Sequence, residues 1–155
     1  MSLGQKTTND FFDNGGKLLM ATYISSSFDE QSNFLDFTPI QSLLIPEDTT
    51  LFLNDTSRIF AQLPGWPELQ SVAFIPVVRP IIPSPGATIL YEGQLVANSN
   101  LVFSSWTGTS GVMAKKTNGT GQTNFVISTL ELDQLDGNGN VNSLFQKILI
   151  DEFGL

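Results

Sequence analysis

Apolar residues along this chain come in short runs separated by turn-forming residues. Leu18, Leu19, Met20, Ala21, Tyr23 and Ile24 form the first run, bounded by Gly16 and by Ser25-Ser26-Ser27. Similar runs follow at Leu51–Leu53, Ile59–Leu63, Val72–Val78, Thr88–Tyr91, Leu101–Trp106 and Phe125–Leu132. Runs of about 4 to 8 residues flanked by Gly, Pro, Asn, Asp or Ser are the pattern of β-strands. Their even spacing predicts a mainly all-β fold, an antiparallel sandwich or barrel of jelly-roll-like kind. Several runs are apolar at consecutive positions instead of alternating, so those strands are expected to be covered on both faces. A neighbouring chain is one source of the second cover.

Both ends depart from this pattern. Met1 to Gly16 is rich in Thr, Asn, Asp and Gly and reads as a flexible arm ahead of a single β domain over 17–155. Phe11 and Phe12 interrupt the arm and are expected to dock, on the chain's own core or on a neighbouring subunit. At the other end Phe145, Leu149 and Phe153 recur at i, i+4 and i+8, with Leu144 and Ile148 beside them. That is a helical face, with Asn142 or Ser143 as cap and Gly154 just past the end. Asp151 and Glu152 oppose the helix dipole there, and β-branched Ile148 and Ile150 suit a strand, but a short helix is favoured.

The segment Leu63 to Gly86 holds Pro64, Pro67, Pro76, Pro80, Pro83 and Pro85, six of the chain's 8 prolines. Proline donates nothing to a ladder, so beyond Pro76 this stretch is expected to be extended, polyproline-like or at a sheet edge. Its apolar residues Val77, Val78, Ile81 and Ile82 then lie either on the chain's own core or on another subunit. Between Pro80 and Ala114 the only charged residue is Glu92. A water-exposed stretch of that length normally carries more charge, which points to interior or interface.

Composition narrows the function classes. At 155 residues, with 41% apolar residues and 12 phenylalanines, the chain can bury a core without staples. Charged residues make up 14%, against about 25% in an average domain, so much of the surface is neutral. The net charge of −8, from 15 acids and 7 bases, argues against nucleic-acid backbones as partners. Lys115-Lys116 reads as a solvated loop, as do Thr107–Gly111, which lacks the lysine of a phosphate loop, and Thr117–Thr123. No run approaches the roughly 18 to 20 apolar residues of a membrane span. Cysteine and histidine are both absent, which removes thiol catalysis, Ser-His-Asp arrangements and zinc sites built on those ligands.

What remains is carboxylate, calcium and aromatic chemistry. The acids Asp29-Glu30, Glu47-Asp48, Glu131 with Asp133, and Asp151-Glu152 sit in turn-like surroundings and read as surface. With Gly139 set at the invariant glycine of an EF-hand, Gln134 and Phe145 fall where essential ligands belong. Asp133, Asp136, Asn138 and Asn140 therefore read as a tight turn before a weak calcium loop. Asn54-Asp55-Thr56 and Asn118-Gly119-Thr120 match the glycosylation triplet, which matters only in a eukaryotic secretory pathway. Trp66, Tyr91 and Trp106 would be the platform of a carbohydrate-binding module.

The sequence thus predicts no catalytic, cofactor or metal residues, and no nucleic-acid or membrane partner. It predicts a structural protein of a homo-oligomer or larger shell, of the virion or capsid-decorating kind, with Phe11, Phe12, Val77, Val78, Ile81 and Ile82 as contacts. A sugar-binding module on Trp66, Tyr91 and Trp106 is the alternative, and a carboxylate glycosidase the second alternative.

Overall fold

The computed structural model describes residues 10–22, 37–39, 50–53, 55–78, 80–83, 86–98 and 105–155. Among them are nine strands: β1 (Leu18–Ala21), β2 (Phe37–Pro39), β3 (Thr50–Leu53), β4 (Ile59–Ala61), β5 (Ile75–Val78), β6 (Ile81–Pro83), β7 (Ala87–Asn98), β8 (Ser105–Thr117) and β9 (Thr123–Ser128). They form one open, mixed sheet in the order β1-β9-β8-β7-β3-β5, with β4 added on β7 and with β6 joining β2 to β8. A 3₁₀ turn over Leu132–Leu135 and a short helix, α1 (Val141–Gln146), follow β9.

The β7–β8 hairpin organises the sheet. Its register skips Leu90 on β7, between Ile89 and Tyr91, and then skips Val112 on β8, between Met113 and Gly111. Each skip is a bulge, which bends the strand and strengthens its twist. A bulge also frees a backbone carbonyl, which must find another donor when buried. Leu90 and Val112 are both fully buried, and both carbonyls are used. The Gln62 N–H donates to Leu90 O at 2.9 Å, and Thr129 donates its N–H (2.8 Å) and hydroxyl (3.1 Å) to Val112 O. The bend divides the partners of the hairpin. Beyond it β4 and β3 pair with β7, whereas before it β9 pairs with β8.

In the half that carries β9, side chains alternate between two apolar clusters. Val126 and Met113 point into the larger one, and Phe125, Ile127 and Ala114 into the smaller one on the opposite face. Residues 10–13 are helical and place Phe12 on the smaller cluster, its ring 6.1 Å from Phe125 at 75°. The C-terminal helix covers the larger cluster with Leu144, Ile148 and Phe153. At about 100° per residue, five residues from Ile148 would overshoot the buried face by about 140° in an α-helix. The chain instead continues as a π-helix over Lys147–Glu152, and the Phe153 N–H reaches Ile148 O at 2.9 Å. That i→i+5 bonding widens the turn and brings Phe153 over Ile148. Gly154, at φ +68, then reverses the chain and lets its N–H and that of Leu155 bond to Ile150 O and Leu149 O.

Several expectations need correction. The sheet is mixed and not purely antiparallel, because β1 runs parallel to β9 from Leu18 opposite Phe125 to Ala21 opposite Ser128. Thr107–Gly111 and Lys115-Lys116 are not loops but parts of β8, since their backbone groups find partners along β7 and β9. The proline-rich segment contributes more than an edge. Between Pro80 and Pro83, Ile81 and Ile82 keep their N–H groups, and β6 uses them to sit between β2 and β8. Its approach to β8 is close enough that a Cβ on Gly111 would lie 2.9 Å from Ile81 O. A closed sandwich or barrel is not what these pairings form; the sheet is open.

Candidate interaction edge

The residues singled out from sequence are divided between the two apolar clusters and the surface. Val78 and Ile81 are 1% and 2% exposed, so they are spent on this chain's own core. Phe12 is half-buried on Phe125, whereas Phe11 is exposed and packs edge-on against Phe12 with ring centroids 5.3 Å apart. Residues 1–9 of the expected arm and the side chain of Ile82 lie outside the described residues. Val77 is the remaining member and is exposed.

Two of the three aromatic platform residues are buried in the core. Gly65, at φ +77, turns the Pro64–Pro67 segment so that Trp66 folds inward against Tyr91, with ring centroids 5.9 Å apart at 83°. Both rings belong to the main core, and the Tyr91 hydroxyl donates to Pro67 O at 2.6 Å. Burial raises the Tyr91 pKa well above its ordinary value, so the hydroxyl remains a donor. The Trp106 side chain lies outside the described residues. The Asn-Gly stretch is a turn held by its own side chains. Asn138 and Asn140 both donate their amides to Glu68 O, and Asp136 Oδ1 accepts the Val141 N–H. Among the described residues no group of three or more acidic side chains is placed to hold a metal ion, and no helix is long and apolar enough to cross a membrane.

One pair of charges was invisible in the sequence. Glu152 reaches back from the π-helix to β8 and β9, where its Oε2 accepts from Lys115 Nζ and from the Thr123 hydroxyl, both at 2.6 Å. Burial alone pushes the Glu152 carboxyl up. The hydrogen bonds from Lys115 and Thr123, with the charges of Lys115 and Lys147, outweigh that and hold it below its ordinary value. A general acid of a glycosidase requires the opposite shift.

The surface that does gather unusual chemistry is the outer side of residues 72–77. From Leu69 to Val78 the chain carries no charge. Leu69, Ile75 and Val78 are buried, and the backbone is pinned by Ser71 N–H to Thr56 O (2.9 Å) and Val72 N–H to Gln134 O (2.8 Å). With those positions inward, Val72, Phe74 and Val77 face out at 57%, 50% and 38% exposure. β5 ends the strand path, so among the described residues its outer edge has no strand beside it. Beside it runs a groove of about 220 Å³, lined by Ile75, Pro76, Val77, Thr129, Glu131 and Gln134. The sequence signal was the run Val72–Val78, which reads as one strand. Only the split between inward Ile75 and Val78 and outward Val72, Phe74 and Val77 reveals a surface.

Compared with known proteins, the chain matches no family model, no curated protein and no solved structure.

Proposed function

We propose that this protein is a non-enzymatic structural subunit of a protein assembly, of the virion or capsid-decorating kind, and that the outer side of residues 72–77 is a contact with another subunit. The observation that carries the reading is that Val72, Phe74 and Val77 are each exposed within the uncharged stretch 69–78 that ends in the edge strand β5. Neighbouring apolar side chains held out on a pinned backbone favour burial against a partner. Pro76 sits in the middle of β5 and removes a ladder donor, which disfavours simple strand addition. The contact is therefore made by side chains packing on the edge, and a second copy of this chain is the occupant we favour. In the same reading, the paired bulges of the β7–β8 hairpin roll the two halves of the sheet towards a jelly-roll-like sandwich or barrel, completed within the assembly.

Light scattering across a concentration series tests the proposal. Mass that rises to a fixed multiple of the chain supports it, whereas a strict monomer at every concentration overturns self-assembly through this edge.

A further inference from the structure

The chain contains three Asn-Gly pairs, Asn14-Gly15, Asn118-Gly119 and Asn138-Gly139, and the structure treats them differently. An Asn-Gly pair can react with itself. The glycine backbone nitrogen, after losing its proton to solvent hydroxide, bonds to the asparagine Cγ. The Cγ–Nδ2 bond then breaks and the amide nitrogen leaves as ammonia, taking a proton from water. The resulting cyclic imide is opened by a second water to aspartate or isoaspartate. Three features set the ease of this reaction: a glycine N–H not engaged elsewhere, an amide NH₂ free to leave, and donors aimed at Oδ1, where negative charge develops.

At two of the pairs the first two features are blocked. The Gly15 N–H donates to Phe12 O at 2.9 Å and the Asn14 amide to Asp10 O at 2.6 Å. The Gly139 N–H donates to Asp136 O at 3.1 Å and the Asn138 amide to Glu68 O at 3.0 Å. At the β8–β9 turn the arrangement is reversed. Among the described residues the Gly119 N–H has no acceptor. Asn118 presents its Oδ1 to three donors: the Thr120 N–H at 3.1 Å, the Thr120 hydroxyl at 2.7 Å and the Gln122 N–H at 3.0 Å. Because these include two backbone N–H groups, the oxygen, and not the nitrogen, must be the atom facing them. The turn thus polarises the amide carbonyl and leaves its NH₂ outside the hydrogen-bonded cluster.

We infer that Asn118-Gly119 is a site of spontaneous modification, at which the chain converts an amide to a carboxylate and gains one negative charge. The product is accommodated when it is aspartate, since a carboxylate accepts the same three hydrogen bonds, and strongly. Isoaspartate lengthens the backbone by one carbon and breaks the turn.

Peptide mapping by mass spectrometry of the folded, full-length protein, aged in warm, mildly alkaline buffer, tests the inference. The mass gain of amide-to-acid conversion is expected at Asn118 roughly tenfold faster than at Asn14 or Asn138, the weight of the one or two hydrogen bonds that distinguish the sites. Gly119→Ala is expected to slow it by a similar factor, roughly tenfold, because a methyl group crowds the attacking nitrogen. That variant folds normally, as a Cβ at Gly119 meets nothing within 4 Å. Conversion that is equal at the three sites, or led by Asn14 or Asn138, overturns the inference, as does a Gly119→Ala chain that converts at the parent rate.

Discussion

The two ends of the sheet use apolar residues in opposite ways. Around β9 every apolar side chain finds cover within the chain. Phe125 lies against Phe12 of the N-terminal turn, Ile127 shares its cluster, and Val126 shares a cluster with Leu144, Ile148 and Phe153 of the C-terminal helix. Over residues 72–78 the same kind of sequence is split, with Ile75 and Val78 buried and Val72, Phe74 and Val77 exposed among the described residues. Consecutive apolar residues therefore mark a strand in need of two covers, and only the packing shows whether the chain supplies both. Where it does, the residues contribute to folding; where it does not, they remain for association.

The comparison is broken most severely by removing a cover. Phe153→Ala deletes a ring that is 2% exposed and that the π-helix exists to place. A loss of about 3–5 kcal/mol in denaturant unfolding is expected, as for other buried Phe→Ala changes. A loss below about 1 kcal/mol would mean that the helix is not a true second cover.

How far this was legible in sequence follows from the same residues. The strand runs at Leu18, Leu51, Ile59 and Phe125 were readable because short apolar stretches between turn residues have few other uses. The C-terminal helix was readable from the recurrence of Phe145, Leu149 and Phe153, but the structure buries Leu144, Ile148 and Phe153 instead, and the i→i+5 continuation that selects them is dictated by where the core lies. Lys115, Lys116 and Thr107–Gly111 were misread as loops, because polarity and glycine were the only local signals and strand pairing is decided by a partner distant in sequence. The inward placement of Trp66 was hidden for a related reason. Proline and glycine announce a turn, but its direction depends on Tyr91 and on the Pro67 carbonyl. For the candidate edge, Val77 was legible and Val72 with Phe74 were not, since one apolar run gives no sign of which members face out.

A smaller effect sharpens the account of how the helical cover is fastened. Glu152 is held below its ordinary carboxylate value, so it binds fewer protons folded than unfolded near that value. Its stabilisation is present above the ordinary value of 4.5 and is lost as pH falls through the depressed one. Glu152→Gln removes the charge and leaves Lys115, whose side chain is 17% exposed, without its counter-ion. A destabilisation of about 1–2 kcal/mol at neutral pH is expected. The difference in melting temperature between parent and variant should close as the solution is acidified below the carboxylate range. A gap that persists unchanged in acid would show that Glu152 acts through packing and not through charge.

The smallest effect on folding should be the largest on association. Val72→Lys and Val77→Lys place a charge on the outer side of residues 72–77, where the parent side chains are exposed. Each is expected to change unfolding free energy by no more than about 0.5 kcal/mol, the ordinary range for surface substitutions. In an assembled state the same lysine would be buried against an apolar partner without a counter-ion, which a protein interior tolerates poorly. Native mass by light scattering should therefore fall towards that of a single chain for both variants, whereas a lysine at exposed Gln62, away from the edge, should leave it unchanged. If the Val72 and Val77 variants assemble as the parent does, the outward apolar residues of the 72–77 segment are not the contact. The contrast between the covered and uncovered ends of the sheet would then be one of folding alone.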